Sequence, residues 1–252
     1  MLEGKTALVT GAAKRVGRAT ALLLAQEGVN LVFNYRSSAA QAAETADRLR
    51  SEGVQVLSMQ ADLTSLEQCD RLLEEALDHF GQIDILVNNA SDFSRTELAE
   101  LSRDRQQFSD SFDRQVQIHM RAPLYLGMKL GLQMKENGWG RIVNLTDRLV
   151  VKGQSYRNWV LYIVTKYGLY GITQVLAEEL RPEVTVNSVA PGLVMAPEGF
   201  SPEQVEKIRN NVPLRREAGP DEIALDVLHL IKSEFKTGAA ILTDGGSSLS
   251  AK

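Results

Sequence analysis

Tyr162 and Lys166, four positions apart in Tyr162-Ile163-Val164-Thr165-Lys166, are residue types that can act as an acid–base pair. In a helix that spacing puts both on one face. A phenol titrates near ~10 and exchanges protons poorly at neutral pH, but a neighbouring ammonium favours phenolate and brings it toward the working range. The spacing by itself is common in partly exposed helices. Here it lies in the apolar stretch Trp159–Leu180, where a lysine is expensive to bury, and it follows the fifth strand-like run.

A second constellation lies upstream, in Thr10-Gly11-Ala12-Ala13-Lys14-Arg15-Val16-Gly17, between a strand-like run and the helical run Arg18–Gln26. Gly11 permits a tight turn and Gly17 a close helix–strand approach. The helix-start N–H groups, with Lys14 and Arg15, suit a pyrophosphate. Gly11, Lys14, Arg15, Val16 and Gly17 are therefore cofactor candidates. An isolated match of this kind reads as a plain β-to-α turn; the flanking strand and helix and the basic pair reverse that preference. Dinucleotide sites that take NAD place an acid about twenty residues further on to bond the ribose. Here the second strand ends in Asn34-Tyr35-Arg36-Ser37-Ser38, and no Asp or Glu occurs between Glu27 and Glu44. Arg36 can pair bidentately with a 2′-phosphate and Ser37 can donate to it. Arg36 alone would read as a solvated loop residue; with the acid missing, NADPH/NADP+ is the expected cofactor.

These residues need a scaffold. Aliphatic runs at Lys5–Thr10, Asn30–Tyr35, Gln55–Gln60, Ile83–Asn88, Arg141–Leu145, Thr185–Val189 and Ala240–Leu242 alternate with helical segments. Right-handed crossovers then give an α/β fold of Rossmann type: a doubly wound, parallel, seven-stranded sheet with helices on both faces and ligands at the carboxyl ends of the strands. No repeat or linker divides the chain, so residues 1–252 are expected to form a single domain. Pro197, Gly199 and Pro202 make Ala196–Gln204 the least regular stretch, and the segment near 194–215 is expected to be a substrate-side lid.

Composition sets limits. With 44% hydrophobic and 24% charged residues and a net charge of −4, the chain reads as an ordinary globular protein. Lysine and arginine total 28 against 32 acids, never more than two in a row, which argues against a nucleic-acid partner. Lys166, Glu178 and Glu179 interrupt Trp159–Leu180 and argue against a membrane span. The lone cysteine, Cys69, cannot form an internal disulfide and reads as a packing residue, and no charged-then-apolar leader precedes the first strand, so a cytoplasmic address is expected.

With these motifs in place, the sequence resembles the short-chain dehydrogenase/reductase family over nearly its whole length. Thr10–Gly17 is similar to the family's glycine turn, Asp62-Leu63 to its adenine-side motif and Asn88-Asn89-Ala90 to its strand-four motif. Tyr162 and Lys166 resemble its catalytic pair, Pro191-Gly192 the turn after strand six, and Asp244-Gly245-Gly246 a terminal motif. The resemblance implies that Tyr162 exchanges the proton with substrate and that Lys166 binds the nicotinamide ribose while tuning Tyr162. It also adds Asp62, Leu63, Asn89, Ala90, Pro191 and Gly192 to the cofactor candidates, and implies a homo-oligomer, a tetramer, built through helices around 104–135 and 155–180.

Three departures stand out. Asp147 replaces the family's catalytic serine, Arg15 its second glycine, and His119 its helix-four asparagine; fifteen positions separate Asp147 from Tyr162, about two more than usual, across the polar stretch Val151–Asn158. His119 is read as a hydrogen-bonding substitute for asparagine rather than as a base. Arg15, Arg36-Ser37, Asn89-Ala90-Ser91-Asp92-Phe93 and Asp147 resemble the pteridine reductase branch. That resemblance implies a small-molecule substrate, a pterin or dihydrofolate, with Arg15 and Ser91 bonding the ring or cofactor, Phe93 stacking on the ring and Asp147 helping Tyr162 deliver protons. No metal is implied. Phe93 alone reads nearly as well as a loop aromatic covering apolar surface, and the competing reading of Asp147 is a cap or surface carboxylate in a lineage that lost activity. A carbonyl reductase, such as one acting on a 3-oxoacyl thioester, is the alternative, and a catalytically silent NADP(H) sensor is the third reading.

Overall fold

A computed structural model describes residues 1–155, 157–196 and 201–249. Its centre is an all-parallel sheet of seven strands: β1 (Thr6–Val9), β2 (Asn30–Tyr35), β3 (Val56–Gln60), β4 (Ile85–Asn88), β5 (Gly140–Leu145), β6 (Val184–Pro191) and β7 (Ala240–Thr243). The strand order is β3-β2-β1-β4-β5-β6-β7, so the winding direction reverses between β1 and β4. The fold expected from the sequence is the fold observed.

Alternation along each strand divides the apolar residues between two layers. Ala7, Val9, Leu31, Phe33, Ile85 and Val87 face α1 (Arg15–Gln26), α2 (Ala39–Arg50) and α10 (Pro220–Lys232). Their neighbours Leu8, Val32, Leu86 and Ile142 face α3 (Leu66–Phe80), α6 (Ala122–Glu136) and α8 (Val160–Glu179). Cys69 is fully buried in the second layer, where burial pushes its thiol up to about 11 and keeps it unreactive, in keeping with a packing role.

Several boundaries move by a residue or two. β4 begins at Ile85 rather than Ile83, because the backbone N–H of Ile83 is taken by the Gln133 side chain and the Asp84 carboxylate takes the backbone N–H of Thr6. β6 runs on to Pro191. Ser188 and Gly192 send their N–H groups to β7 at Ala239 and Thr243, so position 191 would point its N–H toward β5, whose pairing has ended at Leu145. The missing proline N–H therefore costs no ladder bond.

The remaining described helices are α4 (Leu98–Leu101), α5 (Arg105–Val116), α7 (Arg148–Lys152) and α9 (Pro202–Asn210), and a π-helical turn at Gln117–Arg121 joins α5 to α6. Of the segment expected as a lid, residues 197–200 lie outside the described residues; its described part carries α9, opened by a reciprocal Ser201–Gln204 capping box. No helix among the described residues is long and apolar enough to cross a membrane.

Candidate active site

At the reversal between β1 and β4 the glycine turn is pressed against the end of β4. A side chain on Gly17 would meet Asn89 Nδ2 at 2.6 Å and Gly11 O at 2.7 Å; Gly11, at φ +65°, has Ala90 Cα 3.0 Å from where its Cβ would lie. Only glycine fits both positions. The polar groups around the turn hold it there. Asn89 Nδ2 donates to Thr10 O at 2.8 Å, and the N–H groups of Asn89 and Ala90 both donate to Thr10 Oγ1. From the other side, buried Asn34 accepts the Gly11 N–H at 3.0 Å and donates to Ala61 O at 2.9 Å.

These contacts frame a cleft of about 470 Å3. The expected cofactor residues Gly11, Lys14, Arg15, Val16 and Gly17 line its floor and one wall, Arg36, Ser37, Asp62 and Leu63 one end, and Asn89, Ala90, Ser91 and Phe93 the other. Lys14, Arg15, Arg36 and Ser37 are exposed. The acids of the cleft are already engaged: Asp62 accepts the Thr64 N–H, and Asp92 pairs with Arg114 at 2.6 Å. Arg15 holds φ +54°, the left-handed region that a glycine would occupy without cost. Pro191 and Gly192 stand outside the cleft lining, at the β6–β7 edge, where the Gly192 N–H donates to Thr243 O.

Asp147, Tyr162 and Lys166 come together beyond Phe93. Asp147 follows β5 and serves two masters: Oδ1 accepts the Leu149 N–H at 2.9 Å and caps α7, while Oδ2 lies 3.3 Å from the Tyr162 hydroxyl. It is thus at once a helix cap and the partner of the phenol, and its burial removes the reading as a surface carboxylate. Burial raises its pKa, against the opposing pull of the Leu149 hydrogen bond and the Lys166 charge. Lys166 is buried one turn along α8, its Nζ bonded to Leu145 O at 2.7 Å and 5.6 Å from the Tyr162 ring centre. Burial brings its pKa down to about 8, with Asp147 pulling the other way.

A strap ties the Phe93 segment to the start of α8. The Thr96 N–H donates to Asn158 O at 2.7 Å, and Thr96 Oγ1 accepts the Leu161 N–H, supplying from another segment the cap that α8 lacks. The strap sets Phe93 parallel to Trp159, centroids 5.3 Å apart, and edge-on to Tyr162 at 4.9 Å. Sequence reasoning did not find Asn34, Trp159 or Thr96. Asn34 left a signal, an amide inside an apolar strand that must be paired once buried; Trp159 and Thr96 acquire their roles only through the distant Phe93 loop.

A family model described as enoyl-(acyl carrier protein) reductase matches residues 11–248. The 3-oxoacyl-(acyl-carrier-protein) reductase FabG of Staphylococcus epidermidis is 31% identical, covering 96% of this chain and 98% of that protein. The hydroxynaphthalene reductase-like protein Arp2 of Metarhizium anisopliae is 33% identical, with coverage of 98% and 96%. Among solved structures, FolM alternative dihydrofolate reductase 1 from Brucella canis, complexed with NADP, superposes with a TM-score of 0.89 at 30% identity, covering 100% of this chain and 97% of that one. Acetoin dehydrogenase from Enterobacter cloacae gives 0.87 at 27%, with coverage of 100% and 98%. With the sheet order, the glycine turn and the Tyr162/Lys166 pair already in view, these matches establish that the chain belongs to the short-chain dehydrogenase/reductase family of oxidoreductases.

Proposed function

We propose that this protein is an NADPH-dependent reductase of pterins, dihydropterins and dihydrofolate included. The observation that carries the reading is the 3.3 Å approach of Asp147 Oδ2 to the Tyr162 hydroxyl, a carboxyl where a carbonyl-reducing relative would carry serine. The Brucella protein, with NADP and a dihydrofolate reductase name, supports it.

The cleft fits the cofactor. Gly11 and Gly17 leave backbone N–H groups open to a pyrophosphate, Lys14 and Arg15 add charge beside it, and Arg36 with Ser37 stands where an NAD site would place an acid. Asp62 and Leu63 would flank the adenine, and Asn89, Ala90 and Ser91 would border the nicotinamide end. The amide hydrogens of Asn89 are spent on the turn, leaving its carbonyl oxygen as the group that could face the cofactor. Pro191 and Gly192 would close the site from the β6 side. When bound, the reduced nicotinamide supplies hydride to the carbon of a C=N bond.

The chain must then deliver a proton to the nitrogen. Tyr162 stands in line for this, with Lys166 favouring its phenolate and Asp147, its pKa raised by burial, as a second proton source. Arg15, Ser91 and Phe93 would hold the ring, Phe93 by stacking. The exposed apolar residues Phe108 on α5 and Val164 and Val175 on α8 support a homo-oligomer, a tetramer by family analogy.

The second reading, a 3-oxoacyl thioester or other carbonyl reductase, has the FabG relatives and the Tyr162/Lys166 pair in its favour. NADPH oxidation measured in parallel with dihydrobiopterin, dihydrofolate and an acetoacetyl thioester, with Tyr162→Phe as blank, separates the two. Tyr162-dependent pterin turnover is expected. Thioester turnover alone would overturn the pterin reading, and silence on all three would leave only cofactor binding.

A further inference from the structure

His119, in the π-helical turn, is fully buried, edge-on to Tyr162 at 5.4 Å, and is given no step in the chemistry above. Its two ring nitrogens reach two different elements. Nε2 lies 2.8 Å from Ser91 Oγ and 3.2 Å from the backbone nitrogen of Asp92; Nδ1 lies 2.9 Å from Thr165 Oγ1, one residue before Lys166.

These contacts determine where the hydrogens are. A backbone N–H can only donate, so the Asp92 contact requires Nε2 to be an acceptor, and the hydrogen of the neutral ring sits on Nδ1. The far end agrees. Thr165 Oγ1 lies 3.0 Å from Leu161 O and 2.9 Å from Tyr162 O, which take its hydrogen and leave its oxygen to accept from Nδ1. Burial and the nearby Lys166 charge hold the ring well below its usual pKa, so it stays neutral. The single lone pair of Nε2 is shared between the Asp92 N–H at 3.2 Å and the closer Ser91 hydroxyl at 2.8 Å, so Ser91 donates and its hydrogen points away from the cleft.

We propose that His119 is a positioning residue that sets specificity: by taking the Ser91 hydrogen it presents Ser91 Oγ to the cleft as an acceptor, selecting ligands with an N–H or NH2 donor there. Ser91 is exposed and lines the cleft, so its lone pairs are available to a ligand. The inference rests on the pterin reading and deepens it. An amino-bearing nitrogen heterocycle offers such a donor, whereas a ketone or thioester carbonyl would set oxygen against oxygen and leave Ser91 unpaired.

Two measurements test it. In protein carrying isotope-labelled histidine, nitrogen–proton correlation NMR reads the tautomer directly, with the His119 signals identified by their loss in His119→Asn. The expected result is a protonated Nδ1 and a bare Nε2 from mildly acid to alkaline pH, with Nε2 shifting in Ser91→Ala; a hydrogen on Nε2, or an imidazolium at neutral pH, would overturn the proposal. The second is the affinity of the NADP+-saturated protein for a diaminopteridine, with the thermal unfolding midpoint as the check on folding. An asparagine amide can donate to Ser91 and reverse its polarity. Ser91→Ala and His119→Asn should each weaken binding roughly 10-fold or more, and the double variant no further; losses that simply multiply would overturn the coupling. A wild-type protein that bound no diaminopteridine would sink the pterin reading instead, and the tautomer would then decide the His119 assignment alone.

Discussion

Asp147 meets Tyr162 through one carboxylate oxygen only. Oδ2 approaches the phenol at 3.3 Å while Oδ1 is held by the Leu149 N–H at 2.9 Å, so the first turn of α7 fixes the angle at which the carboxyl faces the hydroxyl. Orientation and protonation can therefore be separated by substitution.

Asp147→Asn keeps an oxygen for the cap and a polar partner for Tyr162 but has no proton to give. Pterin turnover should fall roughly 10²- to 10⁴-fold with NADPH affinity unchanged, whereas Asp147→Ala should in addition lose about 1 kcal/mol of stability with the cap. The pH profile carries the same signature. If Asp147 is the donor proposed above it acts only while protonated, so turnover should decline as pH rises through its elevated pKa, and again above about 8 as Lys166 loses its charge. In Asp147→Asn only the upper decline should remain; steady-state rates across pH decide this.

Lys166→Met should abolish turnover and yet stabilise the fold. The folded-state pKa of Lys166 lies below its unfolded value, so between about 8 and the ordinary lysine range the unfolded chain binds more protons and wild-type stability rises with pH. Below that window the full cost of burying the ammonium is present. Methionine removes it at the expense of the Leu145 O bond, for a net gain of about 1–2 kcal/mol near neutrality. Thermal midpoints should show an advantage that shrinks as pH approaches the lysine range, and a variant less stable than wild type at neutral pH would contradict this.

Arg15→Gly should separate strain from binding. A non-glycine residue at φ +54° costs about 1 kcal/mol, so the glycine variant should melt about 2–4 °C higher while binding NADPH roughly tenfold more weakly. Calorimetry and cofactor titration on the same preparation are sufficient, and unchanged NADPH affinity would remove Arg15 from the phosphate site.

Phe93→Ala and Trp159→Ala should both raise KM for a pterin, by roughly tenfold, with a smaller effect on kcat. Because the two rings stack at 5.3 Å, the double variant should lose less than the product of the single effects. Fully multiplicative losses would mean that Trp159 does not act through Phe93.

What the sequence disclosed follows from the range over which each feature is encoded. The sheet was legible because strand alternation and helical period are local, and even Ile83 was misplaced only because a side chain from α6 takes its N–H. The glycine turn and the Tyr162/Lys166 spacing were legible for the same reason. His119 was rightly read as a hydrogen-bonding residue, but its three partners come from two distant segments, and the π-helical turn that aims it has no residue signature of its own. Trp159 was passed over because the ring that gives it meaning belongs to another loop.

The Thr96 strap also bears on motion. Since Thr96 is bonded to both Asn158 and Leu161, the segment carrying Phe93 is fastened to the start of the helix that carries Tyr162. Lifting that segment away would break both bonds, whereas turning the half-exposed Phe93 side chain would break neither.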